Sequence, residues 1–405
     1  MGESHLVSLH YPLFITHYTL RIVSECMDAA TQPKIKTGTP GMTIAARIAR
    51  TLVGLIFILS GLVKINDPVG TQIKMEEYFE VFAQDIPLLH DFFMAFIPYM
   101  LFFSVFMCAA EVVLGVALLV SYRPRLTTWL LLLLVTFFTF LTFYSAYFNR
   151  VTDCGCFGEA FKLKPWTSFG KDVVLMVLIL FIIGHRNRMT PRKTGWLVFL
   201  SALGSVGLGI YAIQLLPPLD LLPYAVGRSI PEQMKPSEPL RYKYIMTRNG
   251  KTEEFTAYPS DTTYQFKEMV LLNENARPKI TDFRVWNESE DLTQAMFTGS
   301  RLFLVVRDTR DIDAGSIPAI RSLLNGLKHT PVSAAILTSV SDDAIAAFKT
   351  EYQLDAPVYK ADATVLKTIV RSNPGIWLLE DGVVRGKWHH NATPTAGQVA
   401  GLVRP

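Results

Sequence analysis

The sequence predicts a membrane α-helical bundle followed by a soluble α/β domain. Two observations carry this. First, residues 43–217 hold nearly all the long apolar runs, although the whole chain is 50% hydrophobic and only 18% charged. Second, from residue 228 onward the pattern is that of an ordinary globular protein, with strand and helix periodicities in turn. The formal net charge of +4 is too small to argue for nucleic acid, and the basic residues cluster beside apolar runs instead of forming an aromatic-interleaved stripe.

A helix needs about 20 mostly apolar residues to cross about 30 Å of hydrocarbon. Five segments meet this: 42–65, 93–120, 126–148, 173–184 with an extension at its outer end, and 196–216. Arg47 and Arg50 stand at the start of the first, Arg123 and Arg125 between the second and third, and Arg186, Arg188, Arg192 and Lys193 between the fourth and fifth. These clusters share one side only if there are five spans, and positively charged turns belong in the cytoplasm. The acidic segment 67–91, the loop after residue 148 and everything beyond residue 216 then lie outside. Residues 1–41 mix His, Tyr and Thr without a signal-peptide pattern. They read as a cytosolic extension or as upstream reading frame, and Met42, directly before the first span, favours the latter. The domain boundaries expected are 1–41, 42–190, 194–218 and 228–405, the last containing a compact α/β part over 300–405.

The loop after the third span reads "VTDCGCFGEAFKLKPW", residues 151–166, and holds two of the chain's four cysteines, Cys154 and Cys156. On the outer side disulfides form and persist. A bridge between residues two apart closes a small ring that departs from relaxed geometry, which favours reduction. Arg150, Lys162 and Lys164 favour the thiolate, while Asp153 and Glu159 oppose it. The spacing therefore allows a redox-active pair or a structural staple, and the loop has too few ligands for a metal site.

Glu111 lies near the middle of the second span, where a carboxylate costs at least about 2.5 kcal/mol and faces protein or a wet cavity. A proton carrier and a plain interhelical bond, to Arg47, Arg50, Thr139 or Thr142, both fit. Cys108, one turn earlier, reads as a small buried hydrophobe. Lys64, at the outer end of its span, is expected to snorkel, with Asp67 as its partner.

"DCGCFG", with "FTFLTFYSAYFN" before it and "WTSFGKD" after it, resembles the MauE (methylamine-utilisation) proteins of the DoxX-like membrane superfamily. "RIARTLVGLIFILSGLVKINDPVG", with "EEYF" following, resembles that family's opening segment, and the resemblance spans residues 42–190. It implies a four-helix MauE/DoxX-like core, to which the fifth span is added, in a bacterial plasma (inner) membrane. It further implies disulfide formation or thiol redox chemistry in the maturation of exported proteins, with a quinone as electron acceptor among related members. Cys154 and Cys156 are the implied thiol pair. Ser60, Gly61, Lys64, Asp67, Pro68 and Glu111 fall on matching motif positions.

In the soluble part, "LFLVV" and "SAAILT" read as strands, and 315–328, 342–352, 363–370 and 395–403 as helices. "NPGIWLLEDGVVRGKW" reads as a hairpin turned at Asp381-Gly382, and 241–262 alternates like a second hairpin. The order resembles a thioredoxin-like fold, with Asn373-Pro374 at the position of that fold's often-cis proline. The family's redox Cys-x-x-Cys should follow "LFLVV", but "RDTRDIDAGSIP" stands there and no cysteine follows Cys156. Asp311 and Asp313 read as a solvated helix start. His389 and His390, adjacent at a strand end, are expected to point to opposite faces.

The function expected is an integral membrane protein of thiol-disulfide redox chemistry, its partners the bilayer and an exported protein, with no nucleic acid. The alternative is a non-catalytic membrane scaffold or docking protein with a structural cysteine pair.

Overall fold

A computed structural model of the protein describes residues 42–151 and 164–404. The chain divides into two compact units, Met1–Leu219 and Asp220–Pro405.

In the first unit, helices α1 (Ile44–Asn66), α2 (Pro68–Asp85) and α3 (His90–Phe96) are followed by α4 (Met100–Leu119), α5 (Pro124–Phe148), α6 (Pro165–His185) and α7 (Gly195–Leu215). Proline stands at the first position of α2, α5 and α6, where its missing N–H costs nothing and its fixed φ suits the helix. Five continuous helical stretches of 21 to 33 residues are apolar enough to span a membrane: Ile44–Asn66, Pro87–Leu119, Pro124–Phe148, Pro165–Arg188 and Gly195–Leu215. At 1.5 Å per residue the shortest covers about 30 Å, the hydrocarbon thickness. Their outward faces carry Leu52, Leu59, Leu133, Val177 and Leu203, all exposed in the protein alone. The unit is a multi-pass membrane bundle, and those faces meet lipid.

The arginine-bearing turns share one end of it. Arg50 Nη1 donates to Ser121 Oγ at 2.6 Å, and the Arg192 backbone N–H donates to Ser121 O at 3.3 Å, so the starts of α1, α5 and α7 converge. The fourth span is longer than its apolar run. It begins at Pro165, and its first two turns carry Ser168, Lys171 and Asp172.

The acidic segment after the first span is a helix, α2, with α3 behind it. Tyr78 and Phe82 of α2 pack with Tyr144 and Val151, and Ser104 Oγ donates to Pro68 O at 2.6 Å. At the end of α1, Ile65 is buried against Val105 and Cys108 of α4 and Leu208 and Ile213 of α7, and Asn66 is buried beside it. Asn66 in turn exchanges two hydrogen bonds with the backbone of Leu219, at 2.7 and 3.0 Å, which ties the chain leaving α7 to that same end.

The second unit opens with a short helix, α8 (Ile230–Gln233), and a three-stranded antiparallel sheet of β1 (Tyr242–Arg248), β2 (Lys251–Phe255) and β3 (Gln265–Leu271), with β1 central. Asn249 and Gly250, both at positive φ, make the β1–β2 turn. Then come β4 (Val285–Trp286), β5 (Ser300–Val306), α9 (Ile317–Leu327), β6 (Ser333–Thr338), α10 (Asp342–Tyr352), β7 (Val358–Ala361), α11 (Ala363–Ile369), β8 (Gly375–Glu380), β9 (Val383–His389) and α12 (Ala396–Ala400). The second sheet has the order β9-β8-β5-β6-β7-β4, with β5-β6 and β6-β7 parallel and the other pairings antiparallel. β5 is central and buried from Leu302 to Val306, which is why it reads as an unbroken apolar run. Leu302, Leu304, Ile336, Ile376 and Leu378 face α9, α10 and α12; Phe303 and Trp377 face the other way, against Tyr224 and Phe283.

In this unit the expected hairpin is present as β1 and β2, and one expectation is corrected. The hairpin read over 241–262 gains a third strand, β3, whose mostly exposed residues carry no alternation signal. His389 and His390 do not diverge: the strand ends at His389, a 3-10 turn takes over, and the two rings lie 4.0 Å apart.

Candidate functional site

Cys154 and Cys156 lie outside the described residues, in the segment joining α5 to α6. The residues that lead into it are held from several sides. Tyr144 OH donates to Asp85 Oδ2, Ser145 Oγ donates to Val151 O, and Arg150 Nη2 pairs with Asp85 Oδ1 at 3.4 Å. Asp85, the last residue of α2, therefore anchors the shoulder of the cysteine segment.

The polar centre of the bundle is built by a close crossing of α1 and α4. A Cβ on Gly61 would sit 2.7 Å from Val112 Cγ2 and 2.9 Å from Cys108 O, and one on Gly115 would sit 2.8 Å from Gly54 O. Only hydrogen fits at these positions, so the backbones touch, as small residues permit between membrane helices. Lys64 follows Gly61 by one turn and Glu111 follows Cys108 by one turn, so both project into the same crossing. Lys64 Nζ donates to Glu111 Oε1 at 2.5 Å and lies 4.3 Å from the centre of the Phe138 ring. Their side chains are 6% and 2% exposed, so this ion pair is closed off from solvent. Glu111 thus makes the interhelical bond expected of it, but to Lys64 and not to arginine or threonine. The expectation that Lys64 snorkels is overturned: α2 and α4 enclose the side chain and turn a water-facing position into a buried one. Asp67 Oδ1 accepts from Gly70 N at 2.9 Å and caps α2.

A second pair lies nearby. Lys171 Nζ meets Asp172 Oδ1 at 2.6 Å, and Thr142 Oγ1 donates to Asp172 Oδ2 at 3.1 Å. Asp172 is buried. Both pairs line one cavity of about 20 Å³, together with Ser60. On the other side of Lys64 and Glu111 is a cavity of about 60 Å³ whose polar lining includes Thr71, Tyr78 and Thr142. The smaller space, between the two ion pairs, is the size of one water; the larger is walled mostly by apolar side chains such as Met75, Met107, Phe137 and Leu141. Cys108, fully buried, points its thiol to Thr71 Oγ1 at 4.0 Å. Two carboxylates and two ammonium groups around a water-sized space can hold or hand over a proton, and they fix the helices that carry them. Among the described residues no cluster of three or more metal-ligating side chains occurs.

Sequence reasoning found Glu111 and Lys64 but not their pairing, named Thr142 as a partner of Glu111 where it bonds Asp172, and missed Lys171, Asp172 and Asp85. A usable signal was present: Asp172 sits directly before an apolar run, inside the quoted "WTSFGKD", and a helix extended back to Pro165 places it within the span.

In the second unit, Asn373 gathers the end of β5. Its Oδ1 accepts from Arg307 N at 2.9 Å, and its Nδ2 donates to Asp308 O and Asp311 O, both at 2.7 Å. The Asn373-Pro374 bond is cis. Asp313 caps the turn before α9 through Gly315 N. Ser372 Oγ donates to Pro374 O at 2.6 Å and lies 3.0 Å from His390 Nδ1.

Residues 42–184 match the model of the family described as "Methylamine utilisation protein MauE". The match covers α1 to α6 and leaves α7 and the second unit outside it. Neither the curated proteins nor the solved structures compared with the chain contain a match. The chain thus carries a membrane region with several spans that is similar to the MauE family over residues 42–184, joined to a sheet-containing α/β unit.

Proposed function

We propose that this protein takes part in thiol-disulfide redox chemistry during the maturation of exported proteins, through Cys154 and Cys156. The observation that carries the reading is a Cys-Gly-Cys within the MauE match, in a segment whose near shoulder is fixed by Tyr144, Arg150 and Asp85. A thiolate of the partner attacks one sulfur of the Cys154–Cys156 disulfide and forms a mixed disulfide. The partner's second thiolate displaces it, leaving the partner oxidised and Cys154 and Cys156 as two thiols. Re-forming the bridge sends two electrons and two protons to an acceptor, for which we propose a quinone in the bilayer. That acceptor approaches from lipid, since the cavity beside Lys64 and Glu111, about 60 Å³, is far below the roughly 300 Å³ of a small-ligand pocket.

In this reading the cysteines face the periplasm and the arginine turns the cytoplasm, because positively charged loops stay inside. The second unit is thioredoxin-like and redox-inert. Supporting this are the parallel β5-β6 pair, the antiparallel β8-β9 hairpin and Pro374 directly before β8. It holds the exported partner.

The test is a titration of the cysteine pair in glutathione buffers, read by thiol alkylation. An exchanging pair opens and closes within the range of known thiol-disulfide exchange proteins, about −120 to −270 mV, whereas a structural bridge stays closed down to below about −300 mV. The latter result would return the protein to a scaffold with a stapled loop.

A further inference from the structure

Among the described residues, the end of the bundle that carries the arginines has cations without carboxylates. Residues 42–50, 120–126 and 184–196 contain Arg47, Arg50, Arg123, Arg125, Arg186, Arg188, Arg192 and Lys193, and neither Asp nor Glu. The fold draws them together instead of spreading them. Ser121 receives a hydrogen bond from the Arg50 side chain and another from the Arg192 backbone, and Arg47 and Arg192 are close enough to Arg50 to repel its charge. Arg50 Nε and Arg186 Nη1 are both buried from solvent, and among the described residues neither has a hydrogen-bond acceptor.

A buried guanidinium N–H with no acceptor is costly, and neighbouring like charges add to that cost. An anion with several oxygens answers both, and the planar guanidinium fork is matched to phosphate. The depth indicates which phosphate. Trp129 and Trp196, 54% and 62% exposed, stand at this same end, as aromatic residues do at the headgroup level of a bilayer. The Arg186 guanidinium lies 5.8 Å from the centre of the Trp129 ring. Exposed Ile44, Ile48 and Leu126 surround the cluster with a lipid-facing apolar wall.

We propose that this end binds the phosphate of an anionic phospholipid headgroup, with Arg50 and Arg192 as its principal ligands, Arg47 beside them and Arg186 at the flank. Clusters of this kind between membrane helices recognise anionic headgroups, each cation strengthening the attraction. The inference does not depend on the chemistry of the cysteine pair.

The experiment uses the full-length protein, delipidated in detergent, with native mass spectrometry and thermal melting as readouts. Three additives are compared at equal phosphorus concentration: phosphatidylglycerol, phosphatidylcholine and inorganic phosphate. Phosphatidylglycerol is expected to stay bound and raise the melting temperature; phosphatidylcholine and free phosphate are expected to do neither. Arg50→Gln/Arg192→Gln should weaken phosphatidylglycerol retention by at least about tenfold, while the glutathione titration of the cysteines stays unchanged. If the double variant does not fold, Arg192→Gln alone, in the loop before α7, gives a smaller loss in the same direction. Equal stabilisation by phosphatidylcholine, full stabilisation by free phosphate, or unchanged retention in the arginine variants would overturn the proposal.

Discussion

Lys64 and Glu111 stabilise one another only as a pair. Taking two charges out of water is costly, and removing one partner leaves the other buried and uncompensated, which costs about 3–5 kcal/mol. Lys64→Met and Glu111→Leu, each made alone, are therefore expected to lower the melting temperature sharply. The double variant should recover most of the loss, because an apolar pair of similar volume needs no compensation. A double-variant cycle on thermal unfolding in detergent measures this. A second residue-scale expectation concerns His390. Burial holds its imidazole below the ordinary value, against the opposing pull of Asp313 and Asp311. As pH falls through about 6.5 the unfolded chain takes up the proton first, so this group's contribution lowers stability as pH falls and leaves it unaffected above. Denaturation of the second unit between pH 8 and pH 5 should show that loss, and His390→Gln should flatten it. Not all of this was legible in the sequence. Glu111 announces itself as a carboxylate inside an apolar run. The burial of Lys64 is set by α2 and α4, neighbours in space, and no local pattern around Lys64 reports it.

At the level of elements, the α1–α4 crossing depends on glycine at 54, 61 and 115. Gly61→Leu forces α1 away from Cys108 and Val112 and separates Lys64 from Glu111. The expected result is a loss at least as large as that of the Glu111 variant, with little further loss when Glu111→Leu is added, since the pair is already apart. Melting of the single and combined variants decides it; additive losses would contradict the account. The spans were readable because lipid demands long apolar runs, and the arginine turns checked their number. The helix α2 was hidden because its acidic face resembles a loop, while its contacts with Tyr144 and Val151 are made across the bundle. In the second unit the buried strands β5, β6 and β8 were plain from their apolar runs. The short or exposed β3, β4 and β7 depend on their partners and left no periodic trace.

At the level of the molecule, the chain joins a helical bundle similar to the MauE family to an α/β unit with its own core of strands and helices. Residues 220–405 made alone are accordingly expected to unfold in one cooperative transition, checked by coincident far-ultraviolet and fluorescence melts. The joint function claimed for the whole is exchange of a disulfide with an exported protein at Cys154 and Cys156. Its most direct test is covalent capture in cells carrying Cys156→Ser, with free thiols blocked at lysis and the adducts identified by mass spectrometry. Reductant-sensitive adducts to exported, cysteine-containing proteins, linked through Cys154 and lost in Cys154→Ser/Cys156→Ser, are the expected outcome. A Cys156→Ser protein recovered only as free monomer, in cells whose exported proteins keep their normal disulfides, would contradict it.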